Sequence, residues 1–255
     1  MTQSKKIHPI ARILDFDGDQ PSYFGVAPAD AQPMRAGGFI GDTREGGSCN
    51  ASVLSMNPHC HGTHTECIGH VVDKRVHAID MIPNQPLDAL LVSLGTTSAR
   101  RCKESLPVSA APPDRILTLA SLQSAIGRKR IPEALVVRTR PNPTSKRTQH
   151  YLDSSDYPFF SVDAVQWIVQ RGVKHLLLDT PSLDRLDDGG RLELHRIFWN
   201  LPRDTRQLTR DARTDATITE MIYAANTIED GRYKLALQPA PFKGDATPSN
   251  PILFR

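Results

Sequence analysis

A helix followed directly by a buried strand is the segment that most constrains the fold. In SVDAVQWIVQRGV (161–173), apolar residues recur with helical spacing, Ser161 suits the N-cap and Gly172 suits the end of the helix. KHLLLDT (174–180) follows as an apolar run that ends in polar residues, typical of a buried strand. Polar residues just past such a strand often line a functional site. The unit predicts a mixed α/β fold.

Other segments predict the same mixture of helices and strands within one domain. Residues 201–217 are polar and predict a surface excursion. The sequence has no repeat, low-complexity tract or linker, so its 255 residues predict a single domain over 1–255. The further predicted strands are LDALLVSLGT (87–96), EALVVRTR (133–140) and YKLALQ (233–238), and the further predicted helices are LTLASLQSAIGRKR (117–130) and RLELHRIFWN (191–200).

Charge and hydropathy exclude several classes of partner. The net charge is +3, from 31 basic and 28 acidic residues, so we expect neither nucleic acid nor a membrane surface as partner. No stretch approaches the roughly 20 apolar residues of a membrane span, and the first residues lack the apolar core of a secretory signal. We therefore expect a cytoplasmic protein whose four cysteines are reduced thiols or metal ligands.

The segment NPHCHGTHTECIGH (57–70) concentrates metal-binding side chains, with four histidines, two cysteines and a glutamate. His64 and Glu66 lie two residues apart, so in an extended segment they point to the same side. Gly62 allows a bend that could turn Cys60 or His61 toward the same point. Such ligands predict a divalent metal, with zinc the first choice and manganese the alternative.

A structural zinc clamp is the main alternative for this cluster. Cys60, His64, Cys67 and His70 could all be its ligands. However, structural zinc sites usually combine two paired half-sites separated by a spacer, and a clamp would leave Glu66 without a role. A functional site completed by residues from elsewhere in the chain is therefore the favoured interpretation.

The same segment resembles the signature of the cyclase family of metal-dependent hydrolases, which includes bacterial kynurenine formamidases and isatin hydrolases. The family pattern is His-x-Gly-Thr-His-x-Asp with a further histidine four residues on. Aligning Gly-Thr-His places Cys60 at the first histidine, His64 at the second, Glu66 at the aspartate and His70 at the later histidine. Cys60 and Glu66 depart from the pattern, and His59 or His61 could replace Cys60 as the ligand.

Two further family markers occur downstream in the expected order. LLLDTPSLD contains the Asp-x-x-Ser-x-Asp turn, Asp179 to Asp184, for which we expect a structural role. His195 and Glu220 match the family's downstream histidine and glutamate. The resemblance spans roughly residues 50 to 240. It implies a single α/β domain of the swivelling β/β/α, kynurenine formamidase-like type, assembled as a dimer or tetramer.

The resemblance also implies roles for individual residues. His70 would shuttle a proton, because histidine titrates near neutral pH, and Glu220 would hold a second metal or orient the water. Tyr23 and Phe24 would cover the substrate, although packing under a loop explains them equally well. The implied metal ligands are Cys60, His64, Glu66, His195 and Glu220.

These features predict hydrolysis of a carbon–nitrogen bond in a small amide or formamide by a metal-activated water, as in arylformamidases. Opening of a cyclic amide or lactone, as in isatin hydrolysis, is a second interpretation that the sequence does not separate from the first. A metal-binding sensor or structural protein without catalysis is the alternative of another class, since thiolates could close the coordination sphere.

Overall fold

Eighteen strands and three α-helices form the regular structure of residues 6–255, the part of the chain that the computed structural model describes. The strands are β1 Ile7–Pro9, β2 Ser22–Tyr23, β3 Asp30–Pro33, β4 Arg35–Ala36, β5 Phe39–Ile40, β6 Ser52–Ser55, β7 His64–Cys67, β8 Leu87–Leu94, β9 Thr97–Ser98, β10 Arg115–Leu117, β11 Ala134–Thr139, β12 His150–Tyr151, β13 Phe159–Phe160, β14 His175–Leu178, β15 Thr217–Glu220, β16 Gly231–Ala236, β17 Ala246–Pro248 and β18 Ile252–Phe254. The helices are α1 Leu119–Ile126, α2 Val162–Gln170 and α3 Glu193–Phe198.

Nine of the strands form one mixed sheet, in the order β1-β18-β16-β8-β11-β14-β15-β7-β17. The four central strands β8, β11, β14 and β15 are parallel, and the strands on both sides of them pair antiparallel. Central parallel strands are buried on both faces, which explains the continuous apolar runs of β11 and β14. The mixed α/β fold predicted from the sequence is confirmed.

The sheet separates two hydrophobic layers. Leu135 and Val137 of β11 face one cluster of buried residues, into which α1, α2 and α3 also pack. Val136, between them, faces a second cluster, to which Leu235 of β16 and Ile222 belong. Alternate residues along one strand therefore contribute to opposite layers, as the pleat of a strand requires.

Helix α2 begins and ends as the sequence predicts. The Ser161 side chain accepts a hydrogen bond from the backbone N–H of Ala164 at 3.1 Å, which satisfies one of the free N–H groups of the first turn. Gly172 follows the helix with φ of +76°, a backbone conformation that only glycine adopts without strain. Helix α2 thereby leads directly into β14.

Two segments differ in detail from the sequence prediction. Helix α1 ends at Ile126, because Gly127 adopts φ of +59°, so it is shorter than the segment 117–130. Residues 201–216 contain neither a helix nor a strand, but Leu208 and Ala212 pack against the helix-side hydrophobic layer. None of the helices within residues 6–255 has the length and apolar character needed to cross a membrane.

Candidate metal centre

The centre of the site forms where β15 pairs antiparallel with β7. Glu220 lies opposite His64, and Ile218 lies opposite Glu66. Because side chains alternate along a strand, His64, Glu66 and Glu220 share one face of the sheet. Thr65 points to the other face, as expected from the sequence, and its hydroxyl lies 2.8 Å from that of Thr219.

Helix α3 supplies an imidazole to this group. Nε2 of His195 lies 2.9 Å from Oε1 of Glu66 and 3.6 Å from Oε1 of Glu220. On the other side of the ring, Nδ1 lies 2.6 Å from Oδ2 of Asp184. Asp184 also accepts the backbone N–H groups of Leu194 and His195. One carboxylate thus caps the helix and orients its histidine.

The buried charges of the centre depend on one another. Burial alone would lower the pKa of His195, but the charge of Glu66 and hydrogen bonds to Asp184, Glu220 and Glu66 raise that pKa well above its ordinary value. Burial alone would raise the pKa of Glu66, but the charges of His70 and His195 hold it well below its ordinary value. The glutamate is therefore a carboxylate, the form in which it binds a cation.

His64 provides the clearest sign that the centre is built for a ligand. Its Nδ1 lies 3.1 Å from the carbonyl oxygen of Gly62, which can only accept, so Nδ1–H donates and Nε2 is the nitrogen left to bind a ligand. This Nε2 is fully buried, lies 3.5 Å from Oε2 of Glu220 and has no hydrogen-bond partner. Buried polar atoms are nearly always paired in folded proteins, and a divalent cation would pair this one.

A second layer of charged groups lies beside Glu66. Nδ1 of His59 is 3.1 Å from Oε2 of Glu66, and its Nε2 is 2.8 Å from Oδ2 of Asp245. His70 stacks on His59 with ring centroids 4.2 Å apart, and its Nδ1 lies 3.5 Å from the same Asp245 oxygen. Burial alone would lower the pKa of His59, but Asp245 and Glu66 outweigh it and raise the pKa to about 10.

Three groups of described residues place ligand atoms close enough together to hold a metal ion. Two of the groups share Glu66, and its two carboxylate oxygens face different partners. All of the donors are nitrogen and oxygen atoms, which suit zinc or manganese. The groups are His59, His64 and Glu66; Glu66, His195 and Glu220; and His59, His70 and Asp245.

The cysteines and His61 lie outside these three groups. Cys60 lines the adjoining cavity, and burial together with the charge of Glu220 raises the pKa of its thiol. Cys67 points toward the carbonyl oxygen of Val76, and burial raises its pKa to about 12. Both ring nitrogens of His61 face backbone groups, the carbonyl of Ala27 and the N–H of Asn57.

A cavity of about 180 Å³ opens beside the centre. Tyr23 and Phe24, the two predicted substrate contacts, both line it. The Tyr23 hydroxyl lies 3.1 Å from that of Tyr157, which donates to the backbone carbonyl of Asp184, and burial raises the pKa of Tyr23. Phe24 is 64 % exposed. A small molecule in this cavity would contact an aromatic wall and the carboxylate–imidazole centre together.

Sequence reasoning placed four of the candidate ligands in one centre and missed one residue. His64, Glu66, His195 and Glu220 converge, with His70 at the edge of the cavity. Asp245, in PFKGDATPSN, carries no local signal. It reaches the site because β17, which begins with the next residue, pairs with β7, and the N–H of Cys67 donates to the carbonyl of Asp245.

Comparison with known proteins shows which folds this chain resembles. No curated protein matches the sequence. The fold matches that of a "predicted metal-dependent hydrolase from Bacillus stearothermophilus" (TM-score 0.62, 13 % identity, 99 % of each chain). It also matches isatin hydrolase A from Labrenzia aggregata (TM-score 0.63, 17 % identity, 98 % of this chain and 93 % of that one) and isatin hydrolase A from Ralstonia solanacearum (0.61, 16 %, 98 % and 92 %).

A family model gives the assignment. The cyclase model, described as "Putative cyclase", matches residues 8–185, which is well over half of the chain and includes both the donor segment and the Asp179–Asp184 turn. The resemblance expected from the sequence motifs is confirmed: this chain belongs to the cyclase family.

Proposed function

We propose that the protein is a metal-dependent hydrolase that cleaves a carbon–nitrogen bond in a small amide or formamide, as arylformamidases do. The observation that carries the proposal is the buried Nε2 of His64, which has no hydrogen-bond partner and faces Glu220. An accessible cavity adjoins the centre. A closed structural site would need no such opening.

His64, Glu66, His195 and Glu220 are the residues that would hold a divalent cation, with zinc the first choice and manganese the alternative. Such a cation supplies a water of lowered pKa and polarises a carbonyl oxygen. The chain itself keeps Glu66 ionised and His195 oriented through Asp184. The cysteine that the family alignment places among the ligands, Cys60, remains a prediction.

His70 is the proposed proton shuttle. It is partly exposed at the cavity edge, with Nε2 4.0 Å from Oε2 of Glu66 and Nδ1 3.5 Å from Asp245. From this position it can pass a proton to the leaving nitrogen of a substrate in the cavity. Glu220 is fixed by the backbone N–H of Leu183 at 2.7 Å, so its carboxylate can orient a water. Tyr23 would cover the substrate.

A histidine substitution tests the proposal directly. His64→Ala removes the unpaired Nε2, and we expect loss of both bound metal and turnover. His8→Ala, at the opposite edge of the sheet in β1, is the matched control and keeps both. Metal content is measured by elemental analysis of the purified protein. A His64→Ala protein with full metal content and full activity would disprove the assignment.

Opening of a cyclic amide or lactone is the second candidate function. It is favoured by the likeness of the fold to two isatin hydrolases and by the small volume of the cavity, which suits a compact ring. A panel of formyl-anilides, isatin and lactones, assayed with added zinc or manganese, separates the two candidates. Turnover of isatin or lactones without turnover of formyl-anilides would replace the first proposal by the second.

A non-catalytic metal-binding protein is less well supported. That function would require a closed coordination sphere, in which thiolates are expected, whereas Cys60 and Cys67 stand outside the groups of ligand atoms among residues 6–255. Metal analysis, together with the absence of turnover across the whole substrate panel, would favour it.

We further propose that the protein works as a homo-oligomer, a dimer or tetramer, in the cytoplasm. Apolar side chains are exposed on the N-terminal half of the chain, among them Val53 and Leu54 of β6, each 57 % exposed, and Ile13. Apolar surface of this kind is often covered by a partner subunit. Light scattering at several protein concentrations tests the expectation, and a monomer throughout would contradict it.

A further inference from the structure

The residue that the family motif aligns with its first histidine is not the one that faces the centre. The alignment selects Cys60, but ligand atoms of His59, His64 and Glu66 all lie within 4.8 Å of one another, and no Cys60 atom belongs to such a group within residues 6–255. The chain turns at residues 58–60 just before β7, so these neighbouring side chains differ in direction.

The two nitrogens of the His59 ring have different surroundings. Nδ1 faces inward, 3.1 Å from Oε2 of Glu66. Nε2 faces outward, 2.8 Å from Oδ2 of Asp245. The ring also packs edge-on against His64, with ring centroids 5.5 Å apart. One nitrogen therefore faces the centre while the other is held by Asp245, and a cation bound there would take the place of the proton that Nδ1 shares with Glu66.

This arrangement is the one that metal-binding histidines usually have. A ligating imidazole donates its second N–H to a carboxylate or carbonyl, which fixes its tautomer and orientation and makes the ligating nitrogen more basic. Asp184 accepts from the second ring nitrogen of His195, and the carbonyl of Gly62 accepts from that of His64. Asp245 accepts from that of His59, so each of these three imidazoles has an acceptor that orients it.

We propose that His59 is a metal ligand through Nδ1, in place of the aligned Cys60, and that Asp245 is its positioning residue. This inference rests on the proposed metal-dependent function and adds to it a ligand set made only of nitrogen and oxygen atoms. In this assignment Cys60 lines the cavity, where its thiol would contact the substrate and not the metal.

The ligand set is tested by spectroscopy and by metal affinity in the full-length protein. Thiolate bound to cobalt gives a sulfur-to-metal charge-transfer band in the near ultraviolet, and we expect the cobalt-substituted wild type to lack it. Competition with a chelator then measures zinc affinity in variants. We expect Cys60→Ser to leave the affinity unchanged and His59→Ala to reduce it more than any Asp245 substitution.

Asp245 is tested with a conservative series. Asp245→Asn removes the acceptor charge and should weaken zinc binding by about 10- to 100-fold, and Asp245→Glu should restore part of that loss. Asp88→Asn is the matched control, since Asp88 of β8 pairs with Lys234 of β16 on the surface. Urea unfolding of the metal-free proteins measures separately the stability that is lost with the His59–Asp245 pair. Partial recovery of zinc affinity in Asp245→Glu marks a positioning role, which a purely structural loss would not give.

A charge-transfer band in the wild type that disappears in Cys60→Ser would overturn the inference. So would a loss of zinc affinity in Cys60→Ser together with unchanged affinity in His59→Ala. Unchanged affinity in Asp245→Asn would overturn the role of Asp245. These measurements need no turnover, so a protein that binds zinc as expected but hydrolyses nothing would refute the proposed function and leave the ligand assignment standing.

Discussion

Although Asp184 lies on a loop, we expect its carboxylate to contribute about 3 kcal/mol to the free energy of unfolding. Its buried carboxylate accepts the N–H groups of Leu194 and His195 at 2.8 and 3.1 Å and the ring N–H of His195 at 2.6 Å. Asp184→Asn keeps the shape, but the amide nitrogen cannot accept. At least one buried donor is then left unpaired, which costs about 1–3 kcal/mol.

The charge of Asp184 adds to this figure. A carboxylate at the start of a helix contributes roughly 0.3–1 kcal/mol through the helix dipole. Added to the cost of the unpaired donor, this gives a loss of stability of about 3 kcal/mol. For a chain of this size, this corresponds to a fall in Tm of about 6–12 °C. Because His195 also loses its partner, zinc affinity should fall by about 10- to 100-fold.

Urea unfolding of the metal-free protein measures the stability change, with chelator present so that metal binding does not contribute. Trp199 fluorescence is a suitable probe, because its fully buried ring lies 5.5 Å from that of His195. Asp187→Asn is the control, since that side chain is 80 % exposed. The reasoning fails if Asp184→Asn unfolds within about 0.5 kcal/mol of the wild type, the ordinary range of surface substitutions.

Three further predictions concern pH, metal and substrate. Burial, together with the charge of Lys174, lowers the pKa of His175 to about 4. Below about pH 6.5 the unfolded chain therefore binds a proton at this histidine, whereas the folded chain does not. Stability should therefore fall by up to about 3 kcal/mol as pH drops from 7 to 4, and His175→Gln should show a shallower fall in urea titrations; equal slopes would contradict this. Zinc at about a thousand times its Kd should stabilise the protein by about 4 kcal/mol, seen as a rise in Tm that chelator reverses. Phe24→Ala should raise KM with unchanged zinc content, and unchanged KM would remove Phe24 from the substrate site.

The central elements of the fold could be predicted because their signals are local. Ser161 and Gly172 bound α2 through their own backbone preferences, and β11 and β14 are apolar because both of their faces are buried. The short strands outside the nine-stranded sheet gave less signal. Val53 and Leu54 of β6, which pairs with β3, are apolar but exposed, so hydropathy alone does not indicate what, if anything, covers them.

The site could be predicted only in part, for a related reason. Alternation along one strand brings His64 and Glu66 together, and the family motifs supply His195 and Glu220. The choice between Cys60 and His59 depends on a turn of a few residues, which motif spacing does not describe. Asp245 depends on the pairing of β17 with β7, a contact between distant segments for which the sequence has no local pattern.

The site residues are widely spaced along the chain, and this spacing decides when during synthesis the proposed metal centre could form. Glu66 and His195 are 129 positions apart, and His59 and Asp245 are 186 positions apart. On the ribosome, the segment 57–70 emerges long before the strands that will flank it, as a free peptide rich in thiols and imidazoles. Thiolate and imidazole groups of an unfolded peptide can bind several divalent cations. The full donor set of the proposed centre exists only after His195, Glu220 and Asp245 have been translated.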